Sequence, residues 1–148
     1  MKDIKHKIFN EVGLLIQGPL ISVGRSGLTG GVGFSDVNES HIIKYNCIEN
    51  ILEIFETFSP YFKEIVCVVW QNEDQEKINL LQKKIGKENV LIIKDQTKRI
   101  NSKGEIIPGN NKYKQFFSSM KGIELLLDRG CRYSIKSRSD QKFNYLTL

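Results

Sequence analysis

Three short stretches of this 148-residue chain combine residue types that handle phosphates, sugars and bases. Lys136, Arg138 and Asp140 alternate along one of them. Two cations there can neutralise a diphosphate, and the carboxylate can hold a divalent cation, Mg²⁺ or Mn²⁺, that bridges it. The flanking cations would also keep Asp140 ionised at neutral pH. Gln17-Gly18-Pro19 offers an amide that both donates to and accepts from a base, beside a glycine that lets a ring approach the backbone. Asn72-Glu73-Asp74 offers carboxylates to ribose hydroxyls. Each stretch also has a plainer reading. Gln17-Gly18-Pro19 suits a strand-ending turn, Asn72 or Asp74 suits a helix cap, and the Lys136–Asp140 run suits a solvated turn of mixed charge.

A fourth set lies on one helical stripe. Asn111, Gln115, Ser118 and Gly122 recur at spacings of four, three and four, with Lys114 and Lys121 beside them. The stripe is polar yet uncharged, which suits a wall facing a polar ligand as well as an ordinary solvated face. Tyr113, Phe116, Phe117, Met120, Ile123 and Leu127 make the opposite, apolar face, which is expected to be core.

The elements that must position these residues follow from periodicity. Val12–Gln17 is a short apolar run ended by Gly18-Pro19, and reads as a strand buried on both faces. Residues 20–37 are glycine-rich and aperiodic, and read as a long loop. Ile48, Ile51, Leu52, Phe55 and Phe58 give helical spacing, so a helix is expected over 40–58. Asn38 or Ser40 would cap it, and Pro60 follows it. Strands at Ile65–Trp70 and Val90–Ile93 bracket a second, more polar helix ending near Ile85. A polar loop spans 95–110, with turn chemistry at Asn101–Gly104 and Pro108–Asn110. A third helix runs over 111–128 and stops at Gly130, before a fourth strand at Arg132–Lys136. The order βαβαβαβ predicts an α/β fold: a mainly parallel sheet with helices on both faces, in one Rossmann-like nucleotide-binding domain spanning 1–148. In such sheets ligands bind at the carboxyl ends of the strands, where all three chemical stretches and the 95–110 loop fall.

Composition narrows the classes. The chain is 40% hydrophobic and 26% charged, ordinary for a globular domain. Its net charge of +5 suits an anionic ligand. No Arg-rich run or basic stripe interleaved with aromatics argues for nucleic acid. Neither G-x-G-x-x-G nor G-x-x-x-x-G-K-[ST] is present, which argues against nicotinamide and P-loop chemistry. Cys47, Cys67 and Cys131 are an odd, widely spaced set in apolar settings, and are expected to be small buried hydrophobes rather than a disulfide framework. His6 and His41 have no matching ligand cluster. Lys2, Lys5 and Lys7 precede an apolar stretch that Asn10 and Glu11 interrupt, without a cleavage pattern. No run approaches membrane-spanning length. The expected place is the cytoplasm, with peripheral association at the inner face of the membrane left open.

Taken together, three stretches resemble the WavE-type lipopolysaccharide-synthesis family, a branch of the GT-A-like glycosyltransferases. Ile16-Gln17-Gly18-Pro19-Leu20 is similar to that family's opening strand. Asn111, Lys114-Gln115, Ser118 and Gly122 are similar to its Asn-x-x-Arg-Gln-x-x-Ser helix, with Lys114 standing where Arg is expected. Lys136-x-Arg138-x-Asp140 is similar to its Lys-x-Arg-x-Asp segment. The resemblance implies a GT-A-like half-domain that binds a nucleotide-sugar donor through Gln17, Gly18, Pro19, Asn72, Glu73, Asn111, Lys114, Gln115, Ser118, Lys136 and Arg138. It implies transfer to a glycan or lipid-linked saccharide acceptor in bacterial lipopolysaccharide or capsular polysaccharide synthesis. Asp140 would be the metal ligand. Arg138 occupies the first position of the usual Asp-x-Asp pair, so it can itself neutralise the diphosphate. The acceptor-binding half is expected beyond this stretch, although Phe143-Asn144-Tyr145-Leu146 reads as the start of a further strand. A non-catalytic nucleotide-binding module is the alternative.

Overall fold

A computed structural model describes residues 7–25 and 42–141. The expected caps Asn38 and Ser40, most of the glycine-rich segment and the 143–146 strand lie outside the described residues. In chain order the elements are β1 (Phe9–Gln17), β2 (Ile21–Arg25), β3 (Ile42–Asn46), α1 (Ile48–Phe58), β4 (Phe62–Trp70), α2 (Gln75–Ile85), β5 (Val90–Ile93), β6 (Lys98–Ile100), β7 (Ile106–Pro108), α3 (Asn111–Asp128) and β8 (Tyr133–Arg138).

The main sheet has the order β5-β4-β1-β8, and every pair in it is parallel. Leu14, Leu15 and Ile16 are buried because β1 is central and covered on both faces. On one face, Ile48, Ile51 and Ile54 of α1 and Ile78, Leu81 and Ile85 of α2 close over Leu14, Ile16, Cys67 and Val69. On the other face α3 lies over Leu15, Val66 and Val68. The fold is thus α/β, with a parallel sheet flanked by helices, as periodicity predicts. The three cysteines are free and buried, and burial pushes the Cys67 thiol up to about 12.

Local chemistry sets the helix ends. Asp74 caps α2, its Oδ1 accepting from the backbone N–H groups of Glu76 (2.9 Å) and Lys77 (3.2 Å). This is the plainer reading of the 72–74 stretch, realised at Asp74. Asn110 caps α3, and Gly130 turns the chain after it at φ +81°.

Three expectations need correction. The span read as loop and helix start contains a hairpin: Ile21–Arg25 pairs antiparallel with Ile42–Asn46. Gly24 and the surrounding glycines mask the alternation of Ile21 and Val23, and α1 begins only at Ile48. Its first turn is instead served by Asn46, whose Oδ1 accepts from Ile48 N–H at 3.1 Å. Likewise the 95–110 loop contains the β6–β7 hairpin. The turn at Asn101–Gly104 is as read, with Gly104 at φ +80° and Asn101 Oδ1 accepting from Lys103 and Glu105 N–H, both at 2.9 Å. The three-residue strands beside it are too short to show a period.

The third correction reverses a helix. Ser118, Gly122 and Leu126 of α3 face the sheet and are buried, whereas Tyr113, Phe116, Met120, Ile123 and Leu127 are exposed. Phe117 alone of the predicted core face packs against the buried cluster. Gly122 explains the choice. A Cβ there would overlap Leu15 Cδ1 and lie 2.9 Å from Val68 Cγ2, so the helix rests on the sheet through its own backbone.

Candidate functional site

The order β5-β4-β1-β8 places a topological switch point between β1 and β8. From β1 the chain steps outward through β4 to β5, then returns to the far side of β1. Crevices at such points open at the strands' carboxyl ends. Here those ends are Gln17-Gly18-Pro19 and Arg138-Ser139-Asp140, with Gln17 in register with Arg138.

Short hydrogen bonds staple the two ends together. Ser139 N–H donates to Gln17 O (3.1 Å) and Ser139 Oγ to Pro19 O (2.7 Å). Gly18 sits at φ +146°, and a Cβ there would overlap Ser139 Oγ, so only glycine fits. From α1, the buried Asn50 donates both amide hydrogens at 2.7 Å, to Ser139 O and Gln141 O, and so holds the turn that carries Asp140.

Inside the crevice, Arg138 Nε and Nη2 donate to Asp140 Oδ1 and Oδ2, each at 2.8 Å. Ser22 of β2 adds a hydroxyl donor to Oδ2 at 3.1 Å. This fork holds the Asp140 carboxyl below the usual carboxylate range and raises the Arg138 guanidinium. Gln17 is only 4% exposed, and its Oε1 is buried with no hydrogen-bond partner. These side chains, with Gly18, Pro19, Trp70 and the α3 residues Asn111, Lys114 and Gln115, line a cleft of about 420 Å³.

A second cleft of about 400 Å³ adjoins it across Pro19, Trp70, Asn111 and Lys114, and is completed by Asn72, Glu73, Asp74 and Asp95. Glu73 Oε2 accepts from Leu20 N–H at 2.7 Å, tying the loop after β1 to the end of β4. Its Oε1 is buried and has no partner, and burial raises the carboxyl above its ordinary value. Lys114 Nζ lies 3.0 Å from Asp95 Oδ2. Asp95 is held below its ordinary value first by the Thr97 hydroxyl and further by Lys114. Trp70 stacks on Phe117, with centroids 6.3 Å apart and planes 15° apart.

The fold therefore gathers Gln17, Gly18, Pro19, Asn72, Glu73, Asn111, Lys114, Gln115, Arg138 and Asp140 around two contiguous clefts. Ser118 and Lys136 are not among the lining residues. Ser118 is buried against the sheet, its Oγ donating to Gln115 O, and Lys136 is exposed two residues back along the edge strand β8. Ser22 and Asn50 escaped sequence reasoning, while Asp95 and Ser139 fell within the strand-end stretches without being singled out. The carboxyl-end rule did reach the Asp95 loop, but nothing distinguished Asn50 on a helix read for its apolar spacing. The donor set does not fit a divalent cation as it stands, since such ions take six or more oxygens and both oxygens of Asp140 already accept from Arg138. Among the described residues no group of three or more acids, cysteines or histidines gathers to hold a metal, and no helix is long and apolar enough to cross a membrane. The chain matches no family model, no curated protein and no solved structure.

Proposed function

We propose that the paired clefts bind a nucleotide-sugar donor, and that the chain is a GT-A-like glycosyltransferase, or its donor-binding half, of the WavE type. One observation carries the reading. The residues that carry two buried, unpartnered acceptor oxygens, Gln17 (Oε1) and Glu73 (Oε1), are among those lining the same continuous depression as the cations Arg138 and Lys114. Unpaired buried acceptors are costly unless a ligand supplies donors. A ligand that brings N–H or hydroxyl donors together with an anionic centre fits this pattern, and a nucleotide sugar has both. In the transfer, the acceptor's hydroxyl oxygen bonds to the anomeric carbon as that carbon's bond to the diphosphate breaks, and the hydroxyl proton leaves to solvent or to the departing diphosphate. Arg138 and Lys114 would take the charge of the departing nucleoside diphosphate. Arg138 can do so by turning from Asp140, so the reading needs no metal; a cation at Asp140 would likewise require that pair to open.

The cellular setting belongs to the same proposal: synthesis of bacterial lipopolysaccharide or capsular polysaccharide on a glycan or lipid-linked acceptor, at the cytoplasmic face of the membrane. Calorimetry with uridine, cytidine, guanosine and adenosine diphosphates and their sugar conjugates tests donor binding, with and without chelator. Binding that Arg138→Ala weakens tenfold or more supports the reading; no heat with any of them at millimolar concentration overturns it. A second reading, nucleotide binding without catalysis, is favoured by a specific fact: each acid lining the clefts has at least one carboxylate oxygen already engaged. Asp140 is held by Arg138, Asp95 by Lys114 and Thr97, Asp74 by the α2 cap, and Glu73 by Leu20. Sugar transfer to cell-envelope acceptors by the chain that binds donor decides between the two.

A further inference from the structure

A third cleft lies beside the donor site. It holds about 360 Å³, and small-molecule sites begin near about 300 Å³. Ser22, Tyr45 and Asn46 line it from the β2–β3 hairpin, Cys47 and Asn50 from the start of α1, and Ser139 and Asp140 from the turn after β8. Ser22 and Tyr45 are cross-strand partners, so their side chains leave the same face of the hairpin. Ser22 Oγ donates to Asp140 Oδ2 at 3.1 Å, so that face is the one turned to Asp140. Tyr45 stands beside Ser22 on it, 52% exposed.

The lining decides what the cleft can take. Among the described residues that line it, Asp140 is the one carboxylate and none is a lysine or arginine. A phosphate finds no counter-charge there. A divalent cation takes six or more oxygens, and both oxygens of Asp140 already accept from Arg138. What remains is a set of hydroxyls and amides beside an aromatic ring. Such a set suits a neutral polyhydroxy ligand, whose hydroxyls meet the polar groups and whose C–H face meets the ring.

Placement points the same way. The acceptor hydroxyl must meet the anomeric carbon beside the diphosphate, so its sugar enters from space that adjoins the Arg138 cleft. The second cleft adjoins it but is taken by the donor. The third adjoins it across Ser22 and Asp140. We propose that the third cleft is a saccharide acceptor subsite in which Asp140 grips one acceptor hydroxyl, an inference that rests on the donor reading. When Arg138 turns to the diphosphate, the Asp140 oxygens it held become open to that hydroxyl. Asp140 then orients the hydroxyl for attack, and the hydroxyl's proton leaves to solvent or to the departing diphosphate. Donor and acceptor thereby favour each other's binding.

Nuclear magnetic resonance of the isotope-labelled whole chain tests this, by titration with the methyl glycosides of glucose, galactose, mannose and N-acetylglucosamine to tens of millimolar. At least one glycoside is expected to shift the amide signals of Tyr45, Asn46, Cys47 and Asp140 and to leave those of Asn72 and Glu73 in place. Tyr45→Ala should weaken that binding at least fivefold, and Tyr45→Phe less than twofold. Arg138→Ala frees the Asp140 carboxylate without a nucleotide, and should tighten glycoside binding at least threefold while it weakens nucleotide binding. No shift at these positions with any glycoside overturns the proposal, as does binding that Tyr45→Ala leaves unchanged or that Arg138→Ala does not tighten. Equal shifts with inorganic phosphate overturn it in favour of an anion. Nucleoside diphosphates titrated into the same sample keep the two readings apart. Nucleotide shifts at Gln17, Trp70 and Glu73 without glycoside shifts at Tyr45 and Asn46 sink the acceptor subsite alone. Glycoside shifts at Tyr45 and Asn46 without nucleotide binding sink the donor reading, and with it the acceptor role, and leave a saccharide-binding cleft.

Discussion

The two faces of the sheet are covered in opposite ways. Under α1 and α2 the contact is made by large side chains: Ile51, Ile54, Ile78 and Leu81 are fully buried there. Under α3 it is made by small ones, with Ser118 and Gly122 on the sheet, Leu126 the large side chain fully buried from that helix, and an apolar stripe turned outward. An amphipathic stripe marks the core when a helix docks through bulk. It ceases to do so when a helix docks through its backbone, because close approach requires small residues on the inner face, whatever their polarity.

Breaking each face should give effects of different size. Leu81→Ala, on the bulky side, is expected to cost about 3 kcal/mol in urea unfolding, the usual range for a fully buried leucine. Gly122→Leu should cost about 2 kcal/mol by overpacking against Leu15 and Val68, although leucine is the better helix former. Phe116→Ser, by contrast, should stay within about 0.5 kcal/mol, since the ring is mostly exposed. If Gly122→Leu is tolerated and Phe116→Ser is the damaging change, α3 sits with its other face inward.

The same contrast shows what was legible beforehand. The parallel sheet and all three helices follow from apolar runs and turn chemistry, because β1 and β4 are buried over most of their length, β5 buries Val90 and Ile93, and all three read as runs rich in Leu, Ile and Val. The hairpins were not legible: β2–β3 pairs across a long interval, and β6–β7 is too short to show a period. The strand-end rule found most of the lining residues, because backbone topology decides which strand ends meet. It could not see that Ser118 points into the sheet, nor that Arg138 and Asp140 would hold each other, since both are matters of side-chain direction.

Asn50 offers a sharper test of how the bulky face supports the site. It reaches through the α1 side to the switch point and donates two hydrogen bonds at 2.7 Å. Asn50→Ala leaves Ser139 O and Gln141 O without that donor and is expected to cost about 1.5 kcal/mol. Asn50→Leu, similar in volume, should lose nucleotide affinity to the same degree, because the loss lies in the aim of the 138–140 turn rather than in a cavity. Calorimetry on both variants checks this, and retention of parental affinity would show that the turn holds its shape without Asn50.

The smallest expected effect concerns Glu73, where site and core meet. Burial raises its carboxyl above the ordinary glutamate value of about 4.3, so the folded chain binds that proton more readily than the unfolded chain does. The stabilising contribution of a raised group is complete below the unfolded value and disappears as pH rises through the folded one. Where Glu73 is ionised its burial is therefore a cost, and lowering the pH through its raised folded value should relieve that cost. Asp140 runs the other way. Arg138 lowers it, so its contribution is present above the ordinary aspartate value of about 3.9 and lost as pH falls through the folded value. Glu73→Gln removes the first term and leaves the second. The variant should equal or exceed the parent at pH 7, by no more than a few tenths of a kcal/mol given partial solvent screening. The difference should close as the pH drops, and both chains should then lose stability together below about pH 4. Urea midpoints of parent and variant at stepped pH measure the difference directly, which cancels the other carboxylates. A variant less stable than the parent at pH 7, with a gap that does not change with pH, would mean that the bond from Leu20 N–H outweighs the cost of burying the charge.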